Sequence, residues 1–173
     1  MENLKAIIEA LLFAADAPLT AARIAEILGE CDEGAVKSAL LDIKSDYSGR
    51  HSGIAIVDVA GGIQMRTRED LAPWIRKLKA PKAAGLSQPA LETLAVIAYR
   101  QPIMKSEIER IRGVDVSGVL KGLLEKSLIR IVGRKDVPGK PIIYGTNRHF
   151  LEVFGLRDLS DLPTLKEMDE EES

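Results

Sequence analysis

The sequence contains a single cysteine, Cys31, and two histidines, His51 and His149. One cysteine excludes a disulfide framework and a cysteine-rich metal site, and it fits a reducing compartment. The histidines lie far apart along the chain, and neither belongs to a recognisable Ser-His-Asp or Cys-His arrangement. Metal-ligand spacing and a dinucleotide-binding glycine pattern are also lacking. Nothing in the sequence argues for an enzyme, and we expect neither a cofactor nor a metal ion.

Long apolar runs and a strong excess of one charge are lacking as well. The first residues, MENLKAIIEALLF, form a short apolar run that Glu9 interrupts and that ends before Asp16. This pattern is unlike a signal peptide or a membrane span. The net charge of the chain is −2, so composition alone does not indicate a protein that binds polyanions. We expect a cytoplasmic protein with no membrane partner.

The chain of 173 residues has the length of one ordinary domain or two small ones, and an internal repeat favours two. The segment APLTAARIAEILG (17–29) aligns with QPIMKSEIERIRG (101–113) at an offset of 84, and LLFA (11–14) aligns with AVIA (95–98) at the same offset. Two copies indicate a duplicated domain, because a solenoid needs more units. The matched positions include Pro18 and Pro102, Leu19 and Ile103, Ile24 and Ile108, Ile27 and Ile111, and Gly29 and Gly113.

Each copy has the pattern of three helices followed by a β-hairpin. Apolar residues recur at helical spacing in the helices, while Pro, Gly and N-capping Ser or Thr mark the ends. In the first copy the predicted elements are a helix before Pro18, helices over 20–28 and about 33–46, strands over 54–59 and 63–67 around the turn Gly61-Gly62, and a closing helix over 69–79. In the second copy they are helices over 87–100, near 105–112 and 116–126, and strands near 128–133 and 141–145 around a type II turn at Pro138-Gly139.

Three helices with a hairpin constitute the winged-helix arrangement. The predicted fold is therefore mainly α with small β-hairpins (α+β), in two tandem winged-helix domains. Small residues after the first copy indicate a linker, and the acidic end of the chain is typical of a disordered tail. The predicted boundaries are 1–79 for the N-terminal domain, 80–86 for the linker, 87–160 for the C-terminal domain and 161–173 for the tail.

A winged helix suggests DNA binding, but the predicted third helices support it poorly. Residues that read bases are mainly Arg, Lys, Asn and Gln near the start of that helix. The first copy has Asp32 and Glu33 there, and the second has Asp115 and Ser117. Between residues 98 and 148, however, eleven Lys and Arg stand against five Asp and Glu. This excess fits nonspecific phosphate contact, an acidic protein partner or an ordinary solvated surface.

The loop GRKDVPGKP (133–141) is the predicted wing of the second copy. It is not a phosphate-binding loop, because the spacing of its glycines is too long and Pro141 follows its second lysine where Ser or Thr is needed. Its mixed charge, with Asp136 at the centre, and its proline-bounded turn favour a protein-binding or structural wing over a purely cationic DNA-binding wing.

Surplus apolar surface in the first copy favours assembly. The segment ALLFAA (10–15) is apolar almost all round, unlike a surface helix with one apolar stripe. IAIVDV (54–59) is apolar on both faces except for Asp58. A small domain has one core, so a second apolar face tends to meet another chain; the alternative is unusually tight burial within the domain. We therefore expect a homodimer. The predicted dimerisation residues are Leu11, Leu12, Phe13, Ile54 and Ile56.

LSQPALETLAVIAYRQPI (86–103) closely resembles the segregation and condensation protein B family, the accessory subunit of the bacterial SMC–kleisin complex. The likeness continues through EIERIRGVDVSGVLKGLLEKSLIRIVGRKDVPGKPIIYGT (107–146) and FLEVFGL (150–156), and it is looser in the first copy. One departure is Met104, where a hydroxyl residue would be expected to cap the following helix. Without that cap, we expect the helix start to lose about 1 kcal/mol of stability.

The resemblance implies two winged-helix domains, a homodimer and no catalytic activity. It also implies binding to the kleisin subunit, segregation and condensation protein A, and through the kleisin to the SMC ATPase. The expected role is chromosome condensation and partition during cell division, in the cytoplasm at the nucleoid, with DNA contact that is indirect or nonspecific. The alternative function is a winged-helix DNA-binding transcriptional regulator.

The resemblance and the residues together place the main kleisin site in the second copy, on its first helix and wing. Tyrosine and arginine offer the flat, amphipathic contact area found at interface centres. The alternative for Tyr99 is packing inside, at helical spacing from Leu91 and Ala95. The predicted kleisin-binding residues are Tyr99, Arg100, Gln101, Arg134 and Lys135.

Overall fold

The computed structural model describes residues 3–29, 31–49, 52–78 and 85–164. These residues divide into two compact units. The first unit combines the chain up to Pro81 with the chain from Gly155 onward, and the second is Lys82–Phe154. Each unit consists of helices with a small antiparallel sheet, which confirms the predicted α+β class.

The first unit packs its helices and hairpin around one apolar core. Apolar side chains at helical spacing on the first three helices meet one face of the hairpin, since burial is what stabilises short amphipathic helices. The elements are α1 (Leu4–Ala14), α2 (Ala21–Leu28), α3 (Glu33–Gly49), β1 (Ile54–Val59), β2 (Gly62–Thr67), a 3₁₀ helix (Glu69–Leu71), α4 (Ala72–Leu78) and a second 3₁₀ helix (Leu159–Asp161). The buried core cluster is Ile8, Leu12, Ile24, Val36, Ala39, Leu40, Ile43 and Ile56.

The wing of this unit turns one residue earlier than predicted. β1 and β2 pair antiparallel, and the turn between them consists of Ala60 and Gly61, both with positive φ (49° and 68°). Gly62 lies in β2, where Leu19 and Ile63 exchange two backbone hydrogen bonds of 2.9 and 2.8 Å. A Cβ on Gly62 would lie 3.0 Å from the carbonyl oxygen of Leu19. The glycine is needed for this close approach of a third strand segment, not for the turn.

The predicted boundary at residue 160 differs from the boundary in the structure. The backbone N–H groups of Ala60 and Gly61 donate to the carbonyl oxygens of Leu156 (2.8 Å) and Arg157 (2.9 Å). These bonds attach the chain after Phe154 to the first unit. The predicted disordered tail therefore begins inside an ordered segment, and its residues 165–173 lie outside the described part of the chain.

The second unit repeats the arrangement with a three-stranded sheet of order β3-β5-β4. Its buried apolar residues come from every helix and strand, as in a single small core. The elements are α5 (Gln88–Arg100), β3 (Ile103–Met104), α6 (Lys105–Arg112), α7 (Ser117–Glu125), β4 (Ile129–Arg134), β5 (Ile142–Thr146) and α8 (Arg148–Phe154). Three helices and a hairpin recur in the same order in both units, which is the predicted winged-helix pattern.

Several helix ends have the predicted capping residues, although the side chain of Ser87, which precedes α5, makes no capping hydrogen bond. The Thr20 hydroxyl accepts a hydrogen bond from the Arg23 backbone N–H (3.1 Å), as an N-cap does. Gly29 and Gly113, matched in the repeat, follow α2 and α6 with φ of 75° and 71°, a conformation that favours glycine. At Met104, which has no hydroxyl, the backbone N–H instead donates to a carboxylate oxygen of Glu107 (2.9 Å). The expected loss at this helix start is thus partly offset.

Candidate functional site

The predicted dimerisation residues are divided between the core and the surface of the first unit. Leu12 and Ile56 are 2% and 5% exposed and belong to the core cluster. Leu11 and Ile54 are half-buried, whereas Phe13 is 77% exposed. Leu12 and Ile56 therefore stabilise their own unit and present almost no surface to a second chain. Helical periodicity did not distinguish them from Phe13 because the segment is apolar on all sides.

An exposed apolar face nevertheless runs along α1. At about 100° per residue, its members fall within one arc of the helix. The helix's acidic Glu9 lies outside this arc and is engaged by the Tyr47 hydroxyl. Single exposed apolar residues are normal, but a continuous face of this kind favours a partner. The exposed residues of the face are Ala6, Ile7, Ala10, Phe13 and Ala14.

In the second unit, α5 carries a second exposed stripe. Leu91, Ala95 and Tyr99 follow each other at intervals of four residues, and Leu91 and Tyr99 are 39% and 37% exposed. Residues at this spacing lie on one face of a helix. The stripe faces outward, so Tyr99 does not pack inside with Leu91 and Ala95. Arg100 follows Tyr99 and is exposed at the last position of the helix.

Gln101, by contrast, serves the fold. Its side-chain Nε2 donates to the Ala98 carbonyl oxygen (3.1 Å) and to the Thr146 hydroxyl (2.9 Å). Its Oε1 accepts from the Thr146 backbone N–H (2.7 Å) and from the Thr146 hydroxyl (3.0 Å). The amide has no hydrogen-bonding capacity left for a partner. It joins the end of α5 to the end of β5, which is a positioning role, and its contact with the kleisin stays a prediction.

The wing residues Arg134 and Lys135 are exposed, but they lie apart from the end of α5. Arg134 pairs with Ile142 at the start of β5, whereas Gln101 bonds to Thr146 at its end. Four residue steps along a strand correspond to about 13 Å. The structure therefore divides the predicted site into two patches, the end of α5 and the wing.

The wing itself has the predicted turn. The Lys140 N–H donates to the Val137 carbonyl oxygen (2.9 Å), and Gly139 has φ of 84°, as in a type II turn with glycine at its third position. The Arg134 guanidinium donates to the Lys140 carbonyl oxygen (3.1 Å). This bond holds one of the wing cations against the turn backbone.

The start of α7, where a DNA-reading helix would present basic or amide side chains, is acidic. The Ser117 hydroxyl donates to Asp115 (2.6 Å), and this hydrogen bond is the main cause that lowers the pKa of Asp115 to about 2. Lys105 also lies 3.3 Å from the Asp115 carboxylate. A carboxylate that is ionised at neutral pH repels phosphate, so the geometry disfavours base reading here.

The described residues also bear on other functional classes. Within them, no group of three or more His, Cys, Asp and Glu side chains is arranged to hold a metal ion. None of the helices in this part of the chain is long and apolar enough to cross a membrane. The predicted contact residues that remain exposed lie on the α1 face, the α5 stripe and the wing.

Comparison with known proteins agrees with the residue patterns. The family model described as segregation and condensation complex subunit ScpB matches residues 6–165. Segregation and condensation protein B of Syntrophotalea carbinolica is 51% identical over 168 residues, which are 97% of this chain and 85% of that protein.

The chain is also similar in sequence to proteins of solved structure. ScpB from Mycobacterium tuberculosis is 36% identical with a TM-score of 0.43, over 90% of this chain and 96% of that chain. A dimer of ScpB N-terminal domain complexed with ScpA peptide is 35% identical with a TM-score of 0.41, over 44% of this chain and 95% of that chain. The family match over most of the sequence shows that this chain belongs to the ScpB family of segregation and condensation complex subunits.

Proposed function

We propose that this protein is a non-enzymatic subunit of the SMC–kleisin complex. It binds the kleisin segregation and condensation protein A, contacts the SMC ATPase through the kleisin, and acts in chromosome condensation and partition at the nucleoid. Membership of the family supports the assignment to the complex. The exposed surfaces of the two units support a role in binding other proteins.

The observation that supports a kleisin site in the second unit is the exposed stripe on α5. Leu91, Ala95 and Tyr99 form a narrow apolar row, and Arg100 adds an exposed charge at the last position of the helix. Such a row fits the apolar face of an amphipathic helix from a partner. Tyrosine and arginine are also the residue types that contribute most at interface centres.

A matched set of variants tests this site with the kleisin of the same organism. Tyr99→Ala with Arg100→Ala should raise the Kd by about tenfold or more, since truncating a hot-spot residue costs about 2 kcal/mol. Val153→Ala removes a comparable exposed apolar side chain from α8 and should leave the Kd unchanged. Unchanged binding by the folded double variant would place the kleisin site elsewhere. Loss of binding on Arg134→Ala alone would move it to the wing.

Homodimerisation through the first unit is the second part of the proposal. The proposed interface is the exposed α1 face centred on Phe13, because Leu12 and Ile56 are buried. Phe13→Glu places a charge in that face, where desolvating an unpaired carboxylate opposes association. In sedimentation-velocity runs of the full chain, the wild type should be a dimer and the variant a monomer. A monomeric wild type at micromolar concentration would exclude this interface.

Direct DNA binding is the competing function, and a salt series separates the two. Nonspecific binding through the wing cations would weaken steeply with salt, whereas an interface with an apolar stripe is less sensitive. We expect weak, salt-sensitive binding to duplex DNA without sequence preference. Sequence-specific binding that persists at physiological salt would favour the transcriptional regulator instead.

A further inference from the structure

A small cleft lies between the end of α5 and the outer side of α6. It has a volume of about 290 Å³. Ile103 is 4% exposed and Ile111 is 50% exposed, so apolar surface contributes to the lining beside charged groups. The residues that line it are Arg100, Pro102, Ile103, Glu107, Arg110 and Ile111.

The cleft has an excess of positive charge that its surroundings do not neutralise. Other cations near α6 are paired: Lys105 lies 3.3 Å from Glu109, and Arg112 forms an ion pair with Glu92. Arg100 and Arg110 form no ion pair with any residue in the part of the chain that the structure describes.

Glu107 is the acid that lines the cleft, and it already has a structural role. One of its carboxylate oxygens accepts the hydrogen bond from the Met104 backbone N–H (2.9 Å). With two guanidinium groups and one carboxylate, the lining keeps an excess of one positive charge.

The backbone around the cleft is held in place before any ligand arrives. The hydrogen bonds between Gln101 and Thr146 fix the end of α5, next to Arg100. Ile103 and Met104 pair with β5, and Met104 is tied to the first turn of α6 through Glu107. A preorganised site loses less entropy on binding, which raises affinity for a small ligand group.

We propose that this cleft binds a carboxylate side chain of a partner polypeptide, with a neighbouring apolar side chain packed against Ile111 and Pro102. The proposal rests on the proposed function, in which a protein partner docks beside Arg100, and it names the chemistry of that contact. Guanidinium groups suit carboxylates because their N–H donors match the two oxygens. The apolar part of the lining would contact the apolar side chain next to that carboxylate.

Phosphate is the competing anion, and the lining disfavours it. A phosphate group carries up to two negative charges, whereas a ligand carboxylate carries one. The Glu107 carboxylate in the cleft would therefore repel a phosphate more strongly than it repels a ligand carboxylate. A nucleic-acid backbone, with charges about every 1.7 Å along the duplex axis, also needs a row of cations rather than one pair. An acidic residue beside an apolar residue fits both the charge and the lining.

The first test uses a probe that does not depend on the kleisin. N-acetyl-leucyl-glutamate methylamide is titrated into the isotopically labelled full chain while the side-chain Nε–H resonances of Arg100 and Arg110 are followed by NMR. We expect both to shift and saturate at millimolar ligand. In the variants, the backbone amide resonance of Ile111, which also lines the cleft, reports binding instead. The Arg100→Gln, Arg110→Gln variant should bind about tenfold more weakly or not at all, and Lys126→Gln, an exposed cation on the same unit, should bind like the wild type.

Three results would contradict the proposal that this cleft binds a carboxylate. One is the absence of saturable shifts at the two arginines in the wild type. A second is equal weakening by Lys126→Gln, which would indicate general charge attraction. A third is tighter binding of inorganic phosphate than of the dipeptide, which would point to a phosphate site.

The second test separates this inference from the proposed function. If the wild type and the Arg100→Gln, Arg110→Gln variant bind the kleisin equally, kleisin binding stands and the cleft is excluded as its contact. If the wild type binds the dipeptide but no kleisin, the proposed function fails while the cleft remains a carboxylate site. Loss of kleisin binding in the double variant would support both if, in addition, an Arg100→Glu variant also lost binding and regained it with a kleisin carrying an Asp→Lys or Glu→Lys change.

Discussion

Replacing Gln101 by alanine should destabilise the second unit. The substitution removes both hydrogen-bonding ends of an amide that joins Ala98 and Thr146. Thr146 is 7% exposed, so its backbone N–H and hydroxyl would lose their partners with little access to water. Leaving a buried polar group unsatisfied costs about 1–3 kcal/mol. Because two groups of one residue are affected and some relaxation will occur, we expect a loss of about 2–4 kcal/mol in the free energy of unfolding.

The assay must report on the second unit alone, because a chain with two units need not unfold in one step. Trp74 is the only tryptophan of the chain and belongs to the first unit, so its fluorescence in urea serves as the internal control. Amide hydrogen exchange, resolved by NMR, gives the opening free energy of β5 and α5 directly. The variant should lose protection there while the Trp74 transition stays in place.

A conservative control sharpens the result. Gln101→Glu keeps an oxygen that accepts from the Thr146 N–H but loses the donor to the Ala98 carbonyl oxygen, so its loss should be smaller than that of the alanine variant. If Gln101→Ala leaves exchange in the second unit unchanged and weakens kleisin binding, Gln101 is an interface residue and the structural role is refuted.

Three further outcomes follow from the packing and charge of single residues. Gly145→Ala should lower the free energy of unfolding in urea by about 1–3 kcal/mol, because its Cβ would lie 2.8 Å from a methyl group of Val132 and 3.0 Å from the Gln101 amide oxygen. Leu12→Ala should lower the free energy of unfolding by about 2–5 kcal/mol in the same assay. Because Leu12 is buried, the substitution should not remove a direct contact of the proposed dimer interface. The hydrogen bond from the Arg157 side chain lowers the pKa of Asp161 from 3.8 to about 2. The ionised Asp161 therefore stabilises the fold above pH 3.8, and this stabilisation is lost as the pH falls through about 2. Asp161→Asn should abolish the change near pH 2 in an acid titration of the nearby amide resonances.

Much of the secondary structure could be predicted because local signals agreed with the fold. The helix near 105–112 was placed correctly, since an apolar stripe and a terminal glycine marked it. β3 and α8 were missed. Two residues of strand, Ile103 and Met104, carry no periodicity of their own, and they are defined only by their pairing with β5. The role of Gln101 could not be predicted for the same reason, as its partner Thr146 is 45 residues away.

The first helices of the two copies show why the surface residues were harder to predict than the fold. The repeat aligns Phe13 with Ile97 at an offset of 84, yet Phe13 is 77% exposed and Ile97 is fully buried. The buried positions Ile8 and Leu12 correspond to residues 93–94 and 97–98, which requires an offset larger by one or two residues. One residue rotates a helix by about 100°, so a matched apolar letter can change from core to surface. Where a segment is apolar almost all round, as residues 10–15 at the end of α1 are, only its contacts with α3 and the hairpin decide which arc is left for a partner.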